Sequence, residues 1–122
     1  RFVYVEPTEP YLDFPIILLT DEACFSSNEY FIAGMKDNKR AFLIGTTTGG
    51  GSGNPIKFII PYGNNSFELF VATWIYLRPN GRPLEGKGIR PHLFIGLTPD
   101  NLIKKQDKVL EVAIRKAEEI SI

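Results

Sequence analysis

The 122 residues carry 14 Lys plus Arg against 14 Asp plus Glu, a formal net charge of 0, with 43% hydrophobic and 23% charged residues. This is the composition of a folded globular domain, and one of this length buries roughly two thirds of its unfolded-chain surface. Balanced charge leaves no overall field to draw in nucleic acid or an anionic membrane, no apolar run approaches the ~20 residues of a membrane span, and a lone Cys24 excludes an internal disulfide.

The chain opens at Arg1 rather than a methionine, with no charged segment leading into an apolar one. It is therefore expected to be a piece of something longer, with any targeting segment outside it. Residues 2–5 alternate weakly and meet Pro7 and Pro10, which deny ladder donors, so a short edge strand and an extended connector are expected. Residues 16–19 form a continuous apolar run ended by Thr20-Asp21-Glu22, the pattern of a strand covered on both faces of a parallel sheet. From Ser26 the pattern turns helical. Ser26 and Glu29 make the S-x-x-E signature of a capping box, Phe31, Gly34 and Met35 fall at i, i+3, i+4, and Asp37-Asn38-Lys39 ends the helix. Residues 41–45 read as a second buried strand, which completes a β-α-β unit with a right-handed crossover. Ligands in such sheets sit at the carboxyl ends of the strands.

Residues 46–55, TTTGGGSGNP, form a loop free to adopt positive φ. Residues 57–61 and 67–77 then read as the strands of a hairpin, residues 78–83 as a turn carrying the Asn-Gly signal, and residues 93–96 as a short strand. The final helix begins after Asp107 and places Val109, Leu110, Val112, Ala113, Ala117 and Ile120 on the face toward the sheet. No repeat or linker divides the chain, so residues 1–122 are expected to form one domain.

Ser26, at a strand-to-helix junction, has two readings. The free N–H groups and the dipole of the helix favour negative charge and suit acyl transfer, yet a serine three residues ahead of a glutamate also begins many ordinary helices. Cys24 has no basic neighbour to activate it. The GGGSG loop lacks the phosphate-loop pattern, and His92 stands alone without a second ligand at metal-binding spacing.

The succession PIILLT, SSNEYFIAGMKDNKR, AFLIG, TTTGGGSG and PNGRPLEGKGIRPHLFI resembles the tail-specific, or C-terminal processing, serine peptidases over most of residues 15–118. The resemblance implies a crotonase-like, or Clp-protease-like, α/β fold of β-β-α units, with this chain as the C-terminal part of the catalytic core and the N-terminal part absent. It places Ser26 on the nucleophile and the Ser27 backbone N–H on one oxyanion donor. The processing branch pairs the serine with a lysine in the glycine-rich loop, but Gly51 occupies that position here, and Lys57 begins a strand. The branch resembling the tricorn-type core peptidases and the retinoid-binding repeats uses a Ser-His-Ser-Glu arrangement, and Glu85 falls where its glutamate lies and favours that version, the alternative being a solvated turn residue. In that branch the histidine base, its neighbouring serine and the rest of the oxyanion hole come from upstream, and His92 lies where the family has aspartate. Asp37 matches an acidic position with a structural role.

The expected function is serine endopeptidase activity on a polypeptide, without metal or organic cofactor, in a protein whose isolated fragment is inactive. The resemblance suggests export to the periplasm or surface of a bacterium. It leaves oligomeric state open. The rival is a non-catalytic module binding peptides or apolar ligands on the same fold, with Phe70, Trp74 and Tyr76 lining a groove. A crotonase-type acyl-CoA enzyme is a weaker third, because no residues read as contacts for adenine or pantetheine.

Overall fold

A computed structural model describes residue 6, residues 8–10 and residues 13–120. The edge strand expected over residues 2–5 lies outside the described residues. In chain order the elements are β1 (Ile16–Thr20), α1 (Ser27–Asp37), β2 (Ala41–Gly45), β3 (Ile56–Tyr62), β4 (Asn65–Val71), β5 (Leu93–Phe94), α2 (Pro99–Ile103) and α3 (Lys108–Ile120). β1, β2 and β5 form a parallel sheet in the order β1-β2-β5, and β3 and β4 pair antiparallel in a separate hairpin.

β2 is the middle strand, and its sequence suits burial on both faces. Ala41 and Leu43 join Ile32 and Ala33 of α1, with Leu84 and Ile89, in the main apolar cluster. Ile44, next along the strand, points to the opposite face. There α3 packs, with the Lys116 ammonium 5.7 Å from the ring centre of Phe42. Leu43 and Ile44 are both fully buried, and each such side chain contributes about 1.5–3 kcal/mol by leaving water. The sheet delivers the carboxyl ends of β1 and β2 to one edge, as the β-α-β reading requires.

Four expectations need correction. β1 is covered less than its apolar run suggests: Ile16 to Leu18 are half-buried and Leu19 is 43% exposed, because among the described residues β1 has a neighbour on one side only. The inward face of α1 carries Glu29, Ile32 and Ala33, while Phe31 is 58% exposed, so Phe31 and Gly34 lie off the face assigned to them. The strand expected over residues 67–77 stops at Val71. Beyond it, the N–H groups of Thr73 and Trp74 donate to the Gly53 carbonyl, at 2.8 and 3.3 Å, and draw the chain off the hairpin. Gly53 permits this approach, since a Cβ there would lie 2.4 Å from that of Ala72. Finally, α2 was not foreseen, although its start is written in Thr98-Pro99-Asp100-Asn101: Thr98 and Asn101 form a reciprocal capping box, with Pro99 opening the helix.

The Asn-Gly turn forms as expected, with Leu77 bridging Pro83 and Gly81 at φ 75°. Asp107 caps the last helix through a 2.9 Å bond from the Leu110 N–H to its Oδ1.

Candidate functional site

Ser26 sits immediately ahead of α1 with φ 58° and ψ −124°, a conformation that costs a non-glycine residue about 1–3 kcal/mol. Its side chain makes no cap hydrogen bond, so the capping box expected from Ser26 and Glu29 does not form. The backbone turn is held instead by the Ser26 N–H donating to the Gly51 carbonyl at 2.9 Å and by the Glu29 N–H donating to the Ser26 carbonyl at 2.9 Å. The residue is exposed. A strained serine between a sheet and a helix, with its hydroxyl uncommitted, is the local geometry of a nucleophile elbow. Ser27 is the first residue of α1, so its N–H has no acceptor within the helix and remains available beside the hydroxyl.

Glu29 does other work than capping. It is fully buried, and its carboxyl group accepts from the Thr48 hydroxyl, from the Gly50 N–H at 2.8 Å and from the Gly51 N–H at 2.9 Å. Thr48 Oγ1 in turn accepts from the Ile89 N–H at 2.8 Å, and the Gly50 carbonyl accepts from the Gly86 N–H at 2.7 Å. One buried carboxyl group thus anchors the glycine-rich loop to the helix bearing Ser26 and, through that loop, to the turn bearing Glu85. Gly50 needs its glycine, with φ 72° and the backbone of residues 86–88 close against it.

The next loop residue, Ser52, is buried and donates its hydroxyl to Glu85 Oε1. Glu85 also receives the Tyr76 N–H, 3.2 Å from each carboxyl oxygen. Partial burial pushes the Glu85 carboxyl upward, but the hydrogen bonds from Ser52 and the backbone outweigh it and leave its pKa below the ordinary glutamate value. Glu85 is therefore anionic at neutral pH. Tyr30, beside Glu29 on α1, donates its hydroxyl to the Ser52 carbonyl at 2.9 Å and accepts from the Trp74 indole N–H at 3.2 Å.

These contacts link Ser26, through the Gly51 carbonyl and the adjacent Ser52, to Glu85. A cavity of about 500 Å³ at the carboxyl ends of the strands is lined instead by Leu19, Thr20, Glu22, Thr46, Ile95 and Leu97 among others, and includes neither Ser26 nor Glu85. Among the described residues, no cluster of three His, Cys, Asp or Glu side chains has the arrangement to hold a metal ion.

Comparison with known proteins identifies the family of the chain. The pattern of peptidase family S41 matches residues 4–95. The chain belongs to peptidase family S41. A carboxy-terminal-processing protease of Bartonella bacilliformis is 35% identical over 82 residues, 66% of this chain and 18% of that protein. A peptidase structure from Parabacteroides merdae superposes with a TM-score of 0.76 at 28% identity, over 94% of this chain and 36% of the other. Mature CPAF, solved with lactacystin, gives a TM-score of 0.71 at 25% identity, over 86% and 21%. The chain therefore spans between about a fifth and just over a third of these S41 relatives, and its α/β architecture is their Clp-protease-like fold.

Within an S41 frame, the remaining candidates separate clearly. Gly51, which the resemblance aligns with the lysine of Ser-Lys members, has no side chain, and a Cβ there would lie 2.0 Å from the tip of the Phe25 ring. Lys57 is paired with Glu68 at 2.8 Å on the exposed hairpin. His92 stacks on Phe42 with ring centres 4.9 Å apart, and its Nδ1 accepts from the Leu43 N–H at 2.9 Å, which leaves the proton of the neutral ring on Nε2. Burial and the nearby Lys36 charge lower its pKa, and the stacking and hydrogen bond tie its ring to β2. Burial raises the Cys24 thiol, which stays protonated. Asp37 pairs with Arg78 through both carboxyl oxygens. Ser52, Thr48 and Tyr30 were missed as site residues. The signal for them was a loop rich in glycine N–H groups, which needs buried acceptors, facing a helix that supplies Glu29.

Proposed function

We propose that this chain supplies the nucleophile half of a serine endopeptidase site. The observation that carries the reading is Ser26, strained at φ 58° with an exposed and uncommitted hydroxyl at the head of α1. A histidine contributed from outside residues 1–122 takes the Ser26 proton as Oγ bonds to the scissile carbonyl carbon. The carbonyl electrons move to oxygen, and the Ser27 N–H donates to the resulting oxyanion. Collapse of that intermediate breaks the C–N bond, and the imidazolium returns its proton to the departing amine. Water then hydrolyses the acyl-enzyme by the same route.

Glu85 supports the site of the base through the hydroxyl of a serine contributed from outside residues 1–122, and its acceptance of the Ser52 hydroxyl is that of a carboxyl group oriented to take such donors. The Ser-His-Ser-Glu form of the family is favoured over the Ser-Lys form, since the glycine-rich loop has Gly51 where the latter has its lysine. The substrate is a polypeptide, and the Parabacteroides and Bartonella relatives favour a bacterial source, with export to the periplasm or surface as part of the proposal. No described helix is long and apolar enough to cross a membrane. Peptide hydrolysis by the full-length protein tests the reading. Ser26→Ala is expected to abolish it, and Glu85→Gln to lower kcat by less than the roughly 100–10,000-fold that a positioned acid–base group itself contributes. Unchanged turnover in Ser26→Ala would refute it.

A second reading, a peptide- or apolar-ligand-binding module, is favoured by the hairpin, where Ile59 is 63% and Phe70 59% exposed beside Trp74 at 54%. Of the expected groove, Phe70 and Trp74 are open while Tyr76 is half-buried. Retained peptide binding without turnover in the full-length protein would select this reading.

A further inference from the structure

At the far end of α1 from Ser26, about 15 Å away at the rise of an α-helix, lies a pocket of about 610 Å³ whose walls are basic. Lys36, Arg78, Arg82, Lys87 and Arg90 line it together with Asn80. Among the described residues, the one acid ion-paired with this group is Asp37, held by Arg78. Five cations thus face one carboxylate in a chain whose overall charge is 0. Among the described residues no ion pair involves Arg82, Lys87 or Arg90.

The cations are held by backbone that has little freedom. The Arg78 N–H donates to the Arg82 carbonyl at 3.0 Å and the Arg82 N–H to Asn80 Oδ1 at 3.0 Å, which fixes the two arginines on one tight turn. The Lys87 N–H donates to the Leu84 carbonyl at 3.1 Å, and the Lys36 ammonium donates to the Arg90 carbonyl. Arg78 is only 13% exposed at its side chain. Like charges gathered in a concave, partly desolvated site repel one another, and an anion relieves that repulsion. Burial, with Arg78 and Arg90 nearby, lowers the pKa of Lys36, consistent with such a field.

We propose that this pocket binds a multivalent phosphate-type anion. The guanidinium forks of Arg82 and Arg90 match phosphate oxygens in pairs, Arg78 being engaged by Asp37 through two of its nitrogens, the two lysines add point charges, and five cations against one carboxylate leave an excess of four positive charges. The site is separate from Ser26 and independent of the peptidase reading.

Calorimetric titration of the full-length protein with inorganic diphosphate, at matched ionic strength, tests it. Saturable one-site binding is expected, weakened at least about tenfold for each cation lost in Arg82→Ala and Lys87→Ala, the weight of one hydrogen bond to a charged group. Both residues are exposed, and an unchanged melting temperature verifies folding. Adenosine diphosphate in a parallel titration distinguishes the source: tighter binding than diphosphate assigns a nucleotide, equal binding the inorganic anion. Ser26→Ala should bind as wild type, so loss of peptidase function leaves this result intact. No saturable diphosphate binding, binding unaffected by the two substitutions, or citrate binding as tightly would overturn the proposal.

Discussion

The unit formed by β1, α1, β2 and the glycine-rich loop differs sharply from the β3–β4 hairpin. In the first, Leu43, Ile44 and Glu29 are fully buried and the loop is tied at Thr48, Gly50, Gly51 and Ser52. In the second, every residue of both strands is exposed, including Phe58, Ile60, Tyr62 and Phe67. The hairpin has apolar residues on both faces, and two strands alone are marginal in water. The difference teaches that β propensity made the hairpin, whereas burial and hydrogen bonding made the site. The strained Ser26 belongs to the region rigid enough to hold it.

The contrast can be broken most forcefully at the core. Leu43→Ala should destabilise the full-length protein by about 2–5 kcal/mol, while Phe58→Ala should change stability by about 0.5 kcal/mol or less if the hairpin is as open as described. Chemical denaturation of both variants measures this, and a large loss from Phe58→Ala would show the hairpin to be covered. Next comes Glu29→Leu, which leaves the Gly50 and Gly51 N–H groups and the Thr48 hydroxyl without their acceptor, at about 1–3 kcal/mol for each group that finds no water. Its amide-exchange signature should be faster exchange across residues 48–52 with little change in β3 and β4.

A smaller effect of opposite sign is expected at Ser26. Ser26→Gly removes the penalty of φ 58°, partly offset by the freer unfolded chain, and should stabilise by about 1 kcal/mol. A helix-capping serine would instead lose stability on the same change. The smallest effect concerns Glu85. Its folded-state pKa is lowered, so its contribution is complete above the unfolded value of about 4.3 and is lost as pH falls through the lower folded value. Glu85→Gln should therefore flatten part of the acid limb of the stability profile and leave its slope near neutral pH unchanged.

Much of this architecture could be read from residue patterns. The run of residues 16–19 and the strand at 41–45 were legible because continuous apolar stretches bounded by polar turns leave few alternatives. Glu29 was misread because S-x-x-E names a local capping pattern, and nothing local reveals that a loop twenty residues later offers three donors to the same carboxyl group. Ser52 was passed over for a similar reason: its partner Glu85 is 33 residues away in sequence. The end of β4 at Val71 depended on Gly53 admitting Ala72, a contact between distant segments that strand propensity does not encode.

The proposed chemistry depends on Ser26 being a nucleophile. Treating the full-length protein with a fluorophosphonate probe and mapping the modified residue by mass spectrometry tests this most directly. Covalent labelling at Ser26 is expected, lost in Ser26→Ala and slowed in Glu85→Gln. A folded, full-length protein that remains unlabelled, or that is labelled equally after Ser26→Ala, would contradict it.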